Sequence, residues 1–129
     1  MKPHNYKKKI YYHDTDCGGV VYYANYLKYL EEARTEALLY RGINIKELSL
    51  KGFNFVVRKV NIEYKHPAHY QDDILITTDI TKVKLSLIQL NQNIYHEDAL
   101  LVQAETIILL VDKDLRPFSI PEEMKRALQ

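Results

Sequence analysis

The hydrophobic period changes several times along the chain, and each change marks an element. Over residues 6–12 the even positions Tyr6, Ile10 and Tyr12 alternate with Lys7, Lys9 and Tyr11, with Lys8 out of pattern. A period of two predicts a strand. The aspartate-rich segment that follows holds Gly18-Gly19, and adjacent glycines favour a tight turn. Over residues 23–41 the period becomes helical. Tyr26, Leu30, Ala33 and Ala37 fall on one line, flanked by Tyr29 and Tyr40 on one side and by Leu27 and Leu38 on the other. Lys28, Glu32, Thr35 and Glu36 take the opposite face, and Gly42 is placed to end the helix. Arg34 points into the apolar arc, with Glu31 three residues before it as the expected ion-pair partner.

A short helical turn over residues 45–50 closes at Gly52, and the period returns to two. Phe53, Phe55 and Val57 alternate, then the phase shifts to Val60, Ile62 and Tyr64. Side chains on a strand alternate faces, so this shift requires a bulge or bend near Arg58-Lys59. Further strands are expected around Ile74, Ile76 and Ile80, over residues 85–95, and along Leu100, Val102, Ala104, Thr106, Ile108 and Leu110. The other face of the last strand ends in Ile107, Leu109 and Val111, which predicts that another subunit covers part of the outer face. Residues 121–128 predict a terminal helix opening on Pro121. Short links favour antiparallel pairing. The sum is a single α+β domain over residues 1–129, a five-stranded, mostly antiparallel sheet wrapped around one long central helix.

Charge and composition narrow the function classes. With 18 basic and 17 acidic side chains the net charge is +1, without the basic excess that nucleic-acid phosphates require. No apolar run is long enough to cross a bilayer and no signal pattern opens the chain, so no membrane insertion is expected. One cysteine permits no internal disulfide, which agrees with a cytoplasmic location. The 11 tyrosines, many of them expected to be half-buried, suit edges where a ring packs and its hydroxyl stays wet.

Chemistry concentrates where the first strand meets the helix, in YYHDTDCGGVVYYANYL, residues 11–27. A helix N-terminus has free N–H groups and a partial positive charge, suited to an anion or a developing oxyanion. Gly18-Gly19 would let a substrate approach, Tyr22, Tyr23 and Ala24 would supply amides, and Asp16 sits just upstream. A carboxylate beside such a helix end is a hydrolytic arrangement. The plainer reading is that Asp14 and Asp16 are turn and cap residues. Cys17 beside His13 raises a thiol nucleophile, against the more ordinary role of a small inert residue. Neither His13, Asp14 and Asp16 nor His66 and His69 have a zinc-site spacing with enough ligands, so no metal is expected. Arg58, Lys59, Lys82 and Lys84 are either a solvated basic surface or a handle for a phosphorylated ligand.

The segment YYHDTDCGGVVYYANYLKYLEEARTEAL strongly resembles hotdog-fold acyl-CoA thioesterases. The likeness is strongest to the 4-hydroxybenzoyl-CoA group and to small thioesterases associated with the Tol-Pal envelope system. The pattern Y-x-D-T-D-x-x-G-V-V-Y-x-x-x-Y stands at Tyr12, Asp14-Thr15-Asp16, Gly19-Val20-Val21-Tyr22 and Tyr26, and ARTE at residues 33–36 and VVRKVNIEY at residues 56–64 also fit. The resemblance implies Asp16 as the catalytic aspartate, the Tyr23 amide as the carbonyl-polarising donor, and Tyr12 as a tyrosine near the site. Gly18, Gly19 and Val20 would adjoin the substrate, and Arg58, Lys59 and Lys84 would meet the CoA phosphates. The envelope-associated branch tends to have histidine where this chain has Tyr23, which preserves the backbone contact but removes a side-chain acid or base. The resemblance also implies an acyl-CoA substrate, no cofactor, dimers whose sheets pair edge to edge with the acyl site at their interface, and further association into tetramers. A non-catalytic module binding an acylated ligand would keep the pocket but have no need of Asp16. The dehydratases of the same fold use a histidine and acid pair on motifs absent here. A purely structural partner in an envelope complex has no residue arguing for it.

Overall fold

The computed structural model describes residues 2–16 and 18–129. The order is β1 (His4–Lys9), a 3-10 turn (Tyr12–Asp14), α1 (Asn25–Tyr40), α2 (Ile45–Leu50), β2 (Asn54–Tyr64), β3 (Asp73–Lys84), β4 (Leu87–His96), β5 (Ala99–Val111) and α3 (Glu122–Leu128). Among the described residues the strands form one sheet in the order β1-β3-β4-β5-β2. Every neighbouring pair is antiparallel, so the sheet is wholly and not just mostly so. The register shift in β2 falls between Val57 and Lys59, where the change of phase requires it.

The long helix packs on the concave face. Tyr26, Leu30, Ala33 and Ala37 are buried as their spacing predicts, and Tyr29 and Leu38 join them. Leu27 and Tyr40, expected on the flanks of the apolar arc, are exposed. The two alanines let the helix backbone approach β3 and β1 closely. Helix α1 stops because Gly42 adopts φ +82°, a left-handed conformation in which the Ile43 N–H reaches back to the Leu38 carbonyl at 2.9 Å.

The first strand is shorter than the alternation suggests. It ends at Lys9, and Tyr12 lies in the 3-10 turn, 76% exposed. Ile10 still bonds laterally, to Asp72 and Gln71, but the Asp14 carboxylate takes the Tyr11 N–H at 2.9 Å and turns the chain. Lys8 is out of pattern because its stem lies on the helix-facing side. Its ammonium reaches Glu32 at 3.5 Å and stands 5.1 Å from the centre of the Tyr29 ring. Glu32 also accepts the Tyr6 hydroxyl at 3.0 Å, so it meets β1 instead of lying on a free polar face.

Arg34 is corrected too. Among the described residues it forms no ion pair with Glu31; its guanidinium donates to the buried Gln92 side chain at 3.3 Å. Burial lowers its pKa and Glu31 only opposes that from a distance. The Gln92 amide donates in turn to the Leu30 carbonyl and to Thr78 Oγ1, each at 2.9 Å. This polar bridge divides the core in two. One apolar cluster, around Tyr26, Ile76 and Val102, lies below the start of the helix; the other, around Leu38, Leu90 and Leu110, is closed by Ile120 and Leu128.

Several phenols titrate high in this fold. Tyr6 is pushed up to about 12, by burial first and then by its bond to Glu32. Tyr26 and Tyr29 are raised chiefly by burial. A raised phenol keeps its proton longer in the native state, so its stabilisation is complete below the unfolded value of 10.0 and is lost as pH rises through the folded value. Urea stability should therefore fall between pH 10.0 and about 12, and Tyr6→Phe should shrink that alkaline loss. An alkaline limb unchanged in Tyr6→Phe contradicts the assignment.

Candidate active site

The site is built from the turn that ends β1, the loop that follows, and the first residues before α1. Asp14 is 6% exposed, and its main-chain carbonyl accepts two bonds, from the Tyr22 N–H at 3.2 Å and from Asn25 Nδ2 at 2.9 Å. Its carboxylate, already holding the Tyr11 amide, faces His13 Nδ1 at 3.6 Å. Asp14 also adds to the upward push on the buried Tyr29 phenol, although the Tyr29 hydroxyl does not reach hydrogen-bond geometry with it. The cap role foreseen for Asp14 is the one it plays.

Beyond it Thr15 pairs with Val21, and the Asp16 N–H donates to the Val20 carbonyl at 3.0 Å. The Gly19 N–H closes the turn onto the Asp16 carbonyl, with Gly19 at φ +78°, where a side chain would be strained. The Gly18 N–H binds Asp16 Oδ1 at 2.9 Å, and a Cβ on Gly18 would come within 3.3 Å of that oxygen. Asp16 has the turn role. One carboxylate oxygen shapes the turn, and Oδ2 has no hydrogen-bond partner among the described residues. Cys17 lies outside the described residues.

The helix start supplies donors, though not all three that its sequence offers. The Tyr22 amide is spent on Asp14. The amides of Asn25, Tyr26 and Leu27 bond to the carbonyls of Tyr22, Tyr23 and Ala24. That leaves the N–H groups of Tyr23 and Ala24 without a partner among the described residues. No side chain caps this end and no acidic residue stands in the first turn. The positive end of the helix is therefore open to a ligand.

A loop weighed in the sequence only for its His66 and His69 holds these parts together. Ala68, fully buried, donates its N–H to the Tyr26 hydroxyl at 2.9 Å and accepts the Val21 N–H at 2.9 Å. Val20 pairs with His69, and the Tyr70 N–H reaches the Gly19 carbonyl. The His69 amide is held by the Asp72 carboxylate, which also faces His69 Nδ1 and His96 Nε2. The loop's bonds to Val21, Gly19 and Tyr26 all reach partners distant in sequence.

Tyrosines line the surroundings. Tyr23, 61% exposed, packs on Tyr22 and edge-on against Tyr64 of the edge strand β2, and Tyr64 contacts Tyr26. Tyr12 meets Tyr70. Burial first, and then Tyr23, raises the Tyr64 phenol. The expected phosphate cations do not join this group within one protomer. Lys59 lies about 17 Å along β2 from Tyr64, with Arg58 beyond it at the bulge. Lys84 registers through Leu87 and Leu109 with Val56, a row about 25 Å from Tyr64. Among the described residues no group of three or more side chains could hold a metal, and no helix is long and apolar enough to cross a membrane.

A long helix packed on a five-stranded antiparallel sheet is the hotdog arrangement. The 4-hydroxybenzoyl-CoA thioesterase solved with 4-hydroxybenzoyl-CoA superposes at a TM-score of 0.92 over 100% of both chains; at 18% identity this speaks for the fold alone. The chain belongs to the thioesterase-like superfamily, whose pattern matches residues 11–128. It is 37% identical over 118 residues to the acyl-CoA thioester hydrolase YbgC of Escherichia coli, covering 90% of this chain and 88% of that one. A probable thioesterase from Bartonella henselae, 32% identical, superposes at a TM-score of 0.88 over 92% of this chain and 99% of the other.

If the Ala68 peptide carries the site loop, the hydroxyl of Tyr26 matters more than its ring. Tyr26→Phe leaves a buried N–H unpaired and should lower stability by about 1–3 kcal/mol in denaturant unfolding. Native stability in that variant would contradict this account.

Proposed function

We propose that this protein hydrolyses acyl-CoA thioesters, with Asp16 as the reacting carboxylate and the Tyr23 amide, beside that of Ala24, as the oxyanion donor. The observation that carries the reading is the pair of unspent N–H groups at an uncapped helix end, joined through Asp14 to the loop that presents Asp16. The name of the 37% identical relative supports the substrate class. In the reaction the thioester oxygen accepts a bond from the helix end, which favours the charge that develops on it. Asp16 Oδ2 then attacks the carbonyl carbon, the C–S bond breaks and CoA leaves as thiolate. Water cleaves the resulting anhydride and restores the carboxylate. In the alternative route Asp16 takes a proton from a water that attacks directly. Trapping of an acyl group on Asp16 in a single turnover distinguishes the first from the second.

The acyl site is completed by a second subunit. Val60 and Tyr64 of β2 are exposed, as is Tyr23, which packs on Tyr64, and the outer edge of β2 has no strand neighbour among the described residues. Pairing across that edge gives a dimer, and further association gives a tetramer. Arg58, Lys59 and Lys84 reach the CoA phosphates only from such a neighbour. Tyr12 stands at the rim near the Gly19 side of the loop, and Gly18, Gly19 and Val20 adjoin the thioester. An acyl-CoA substrate suits a cytoplasmic enzyme.

Asp16→Asn should lower kcat/KM by at least about 100-fold on a panel of acyl-CoAs read with a thiol-reactive dye. Near-native turnover, with reversion to aspartate ruled out by mass, would overturn the assignment. Charge reversal at Arg58 and Lys59 should raise the KM for acyl-CoA at low salt while sparing kcat; an unchanged KM removes these residues from the phosphate site.

A further inference from the structure

Asn25 has no part in the chemistry above, yet its side chain is tied to the same carbonyl as the site loop. Tyr22 and Asn25 both donate to the Asp14 carbonyl, at 3.2 and 2.9 Å, one through its backbone and the other through Nδ2. These two donors bracket Tyr23 and Ala24, the residues with unspent amides. The Asn25 N–H closes the bracket by bonding the Tyr22 carbonyl at 2.9 Å. The accepting carbonyl belongs to a buried residue anchored through its own carboxylate, and Asp16 follows it in the same loop.

From this geometry we infer that Asn25 is a positioning residue, which sets the oxyanion amides against the Asp16 carboxylate through the Asp14 carbonyl. Without its amide the segment of residues 22–25 is held to the loop by the longer Tyr22 contact alone. The two free amides can then swing relative to Asp16, and a misplacement of about 1 Å is enough to cost as much as 100-fold in rate. Substrate binding draws on the rest of the pocket and is little affected. The inference rests on the assignment of Asp16 and Tyr23 above.

The test uses Asn25→Asp, which is nearly isosteric. Ionised, the new carboxylate has no donor and places an oxygen against the Asp14 carbonyl; protonated, its O–H restores the bond. The charged and titratable groups around the Asp14 carbonyl are the Asp14 carboxylate, His13 and Tyr29, with Lys8 over the Tyr29 ring and Asp16 further along the loop; the uncharged Asn25→Ala separates the effect of a new carboxylate on them from the loss of the bond. At about pH 7.5 the variant should show kcat reduced by about tenfold or more with KM within about twofold, and the variant-to-native ratio should climb as pH falls towards about 5. A native kcat, a loss confined to KM, or a ratio flat with pH overturns the role. Asn25→Ala carries the same kcat expectation without a charge. Should Asn25→Asp fail to fold, a native kcat in Asn25→Ala overturns the inference by itself. Asp16→Asn in parallel separates the two claims: if it is inactive and Asn25→Asp is not, only the positioning role falls, whereas an active Asp16→Asn removes the underlying site.

Discussion

The peptide of Ala68 is the joint on which the site depends. It lies at zero exposure between the helix and the loop, so both its polar groups must be bonded inside the protein. The N–H finds the Tyr26 hydroxyl and the carbonyl finds the Val21 N–H. Because Tyr26 is itself 3% exposed and packed among Tyr29 and Tyr64, the position of this one hydroxyl is fixed by the core. The core thereby locates a loop whose own side chains are mostly exposed. The neighbouring amides of Lys65, His66, His69, Tyr70 and Gln71 are satisfied as well, by Leu101, Asp72, Gly19 and Ile10.

The opposite condition holds a few residues away. Ordinary helices close their N-termini with a polar side chain, which stabilises by about 1 kcal/mol, and gain a little more from acids in the first turn. Helix α1 has Ala24 at that place and no acid after it. Leaving that end open forgoes stability, and the open end is where an acylated ligand would find donors. Of the other helices, α2 has the Asn44 side chain accepting the Glu47 N–H, and α3, also without a side-chain cap, has Glu122 and Glu123 in its first turn.

Much of the architecture was legible because steric rules act locally. The phase change at Arg58-Lys59 required a bulge or a bend, and the line through Tyr26, Leu30, Ala33 and Ala37 marked the buried face. Asp16 was legible as a turn residue, and its Oδ1 does hold the Gly18 N–H. What escaped were contacts with distant partners. Lys8 was a mismatch until Glu32 and Tyr29 lay beside it, and Arg34 was assigned to Glu31 because Gln92 is on another strand. The loop with Ala68 carries no periodic signal, since its role lies in backbone bonds. Tyr12 obeyed the alternation but lost its strand to the Asp14 carboxylate. The phosphate cations were chosen by charge, which says nothing of distance.

In the proposed reaction one thioester carbonyl meets both the Asp16 carboxylate and the free amides before α1. A crystal structure of Asp16→Asn with an acyl-CoA bound tests this most directly. The account predicts the thioester oxygen within hydrogen-bond distance of the Tyr23 N–H, with the side chain at position 16 facing the carbonyl carbon and CoA leaving towards a second subunit. A thioester bound away from the start of α1, for instance in the ≈ 560 Å³ cavity between Leu48, Phe118 and Met124, would contradict it.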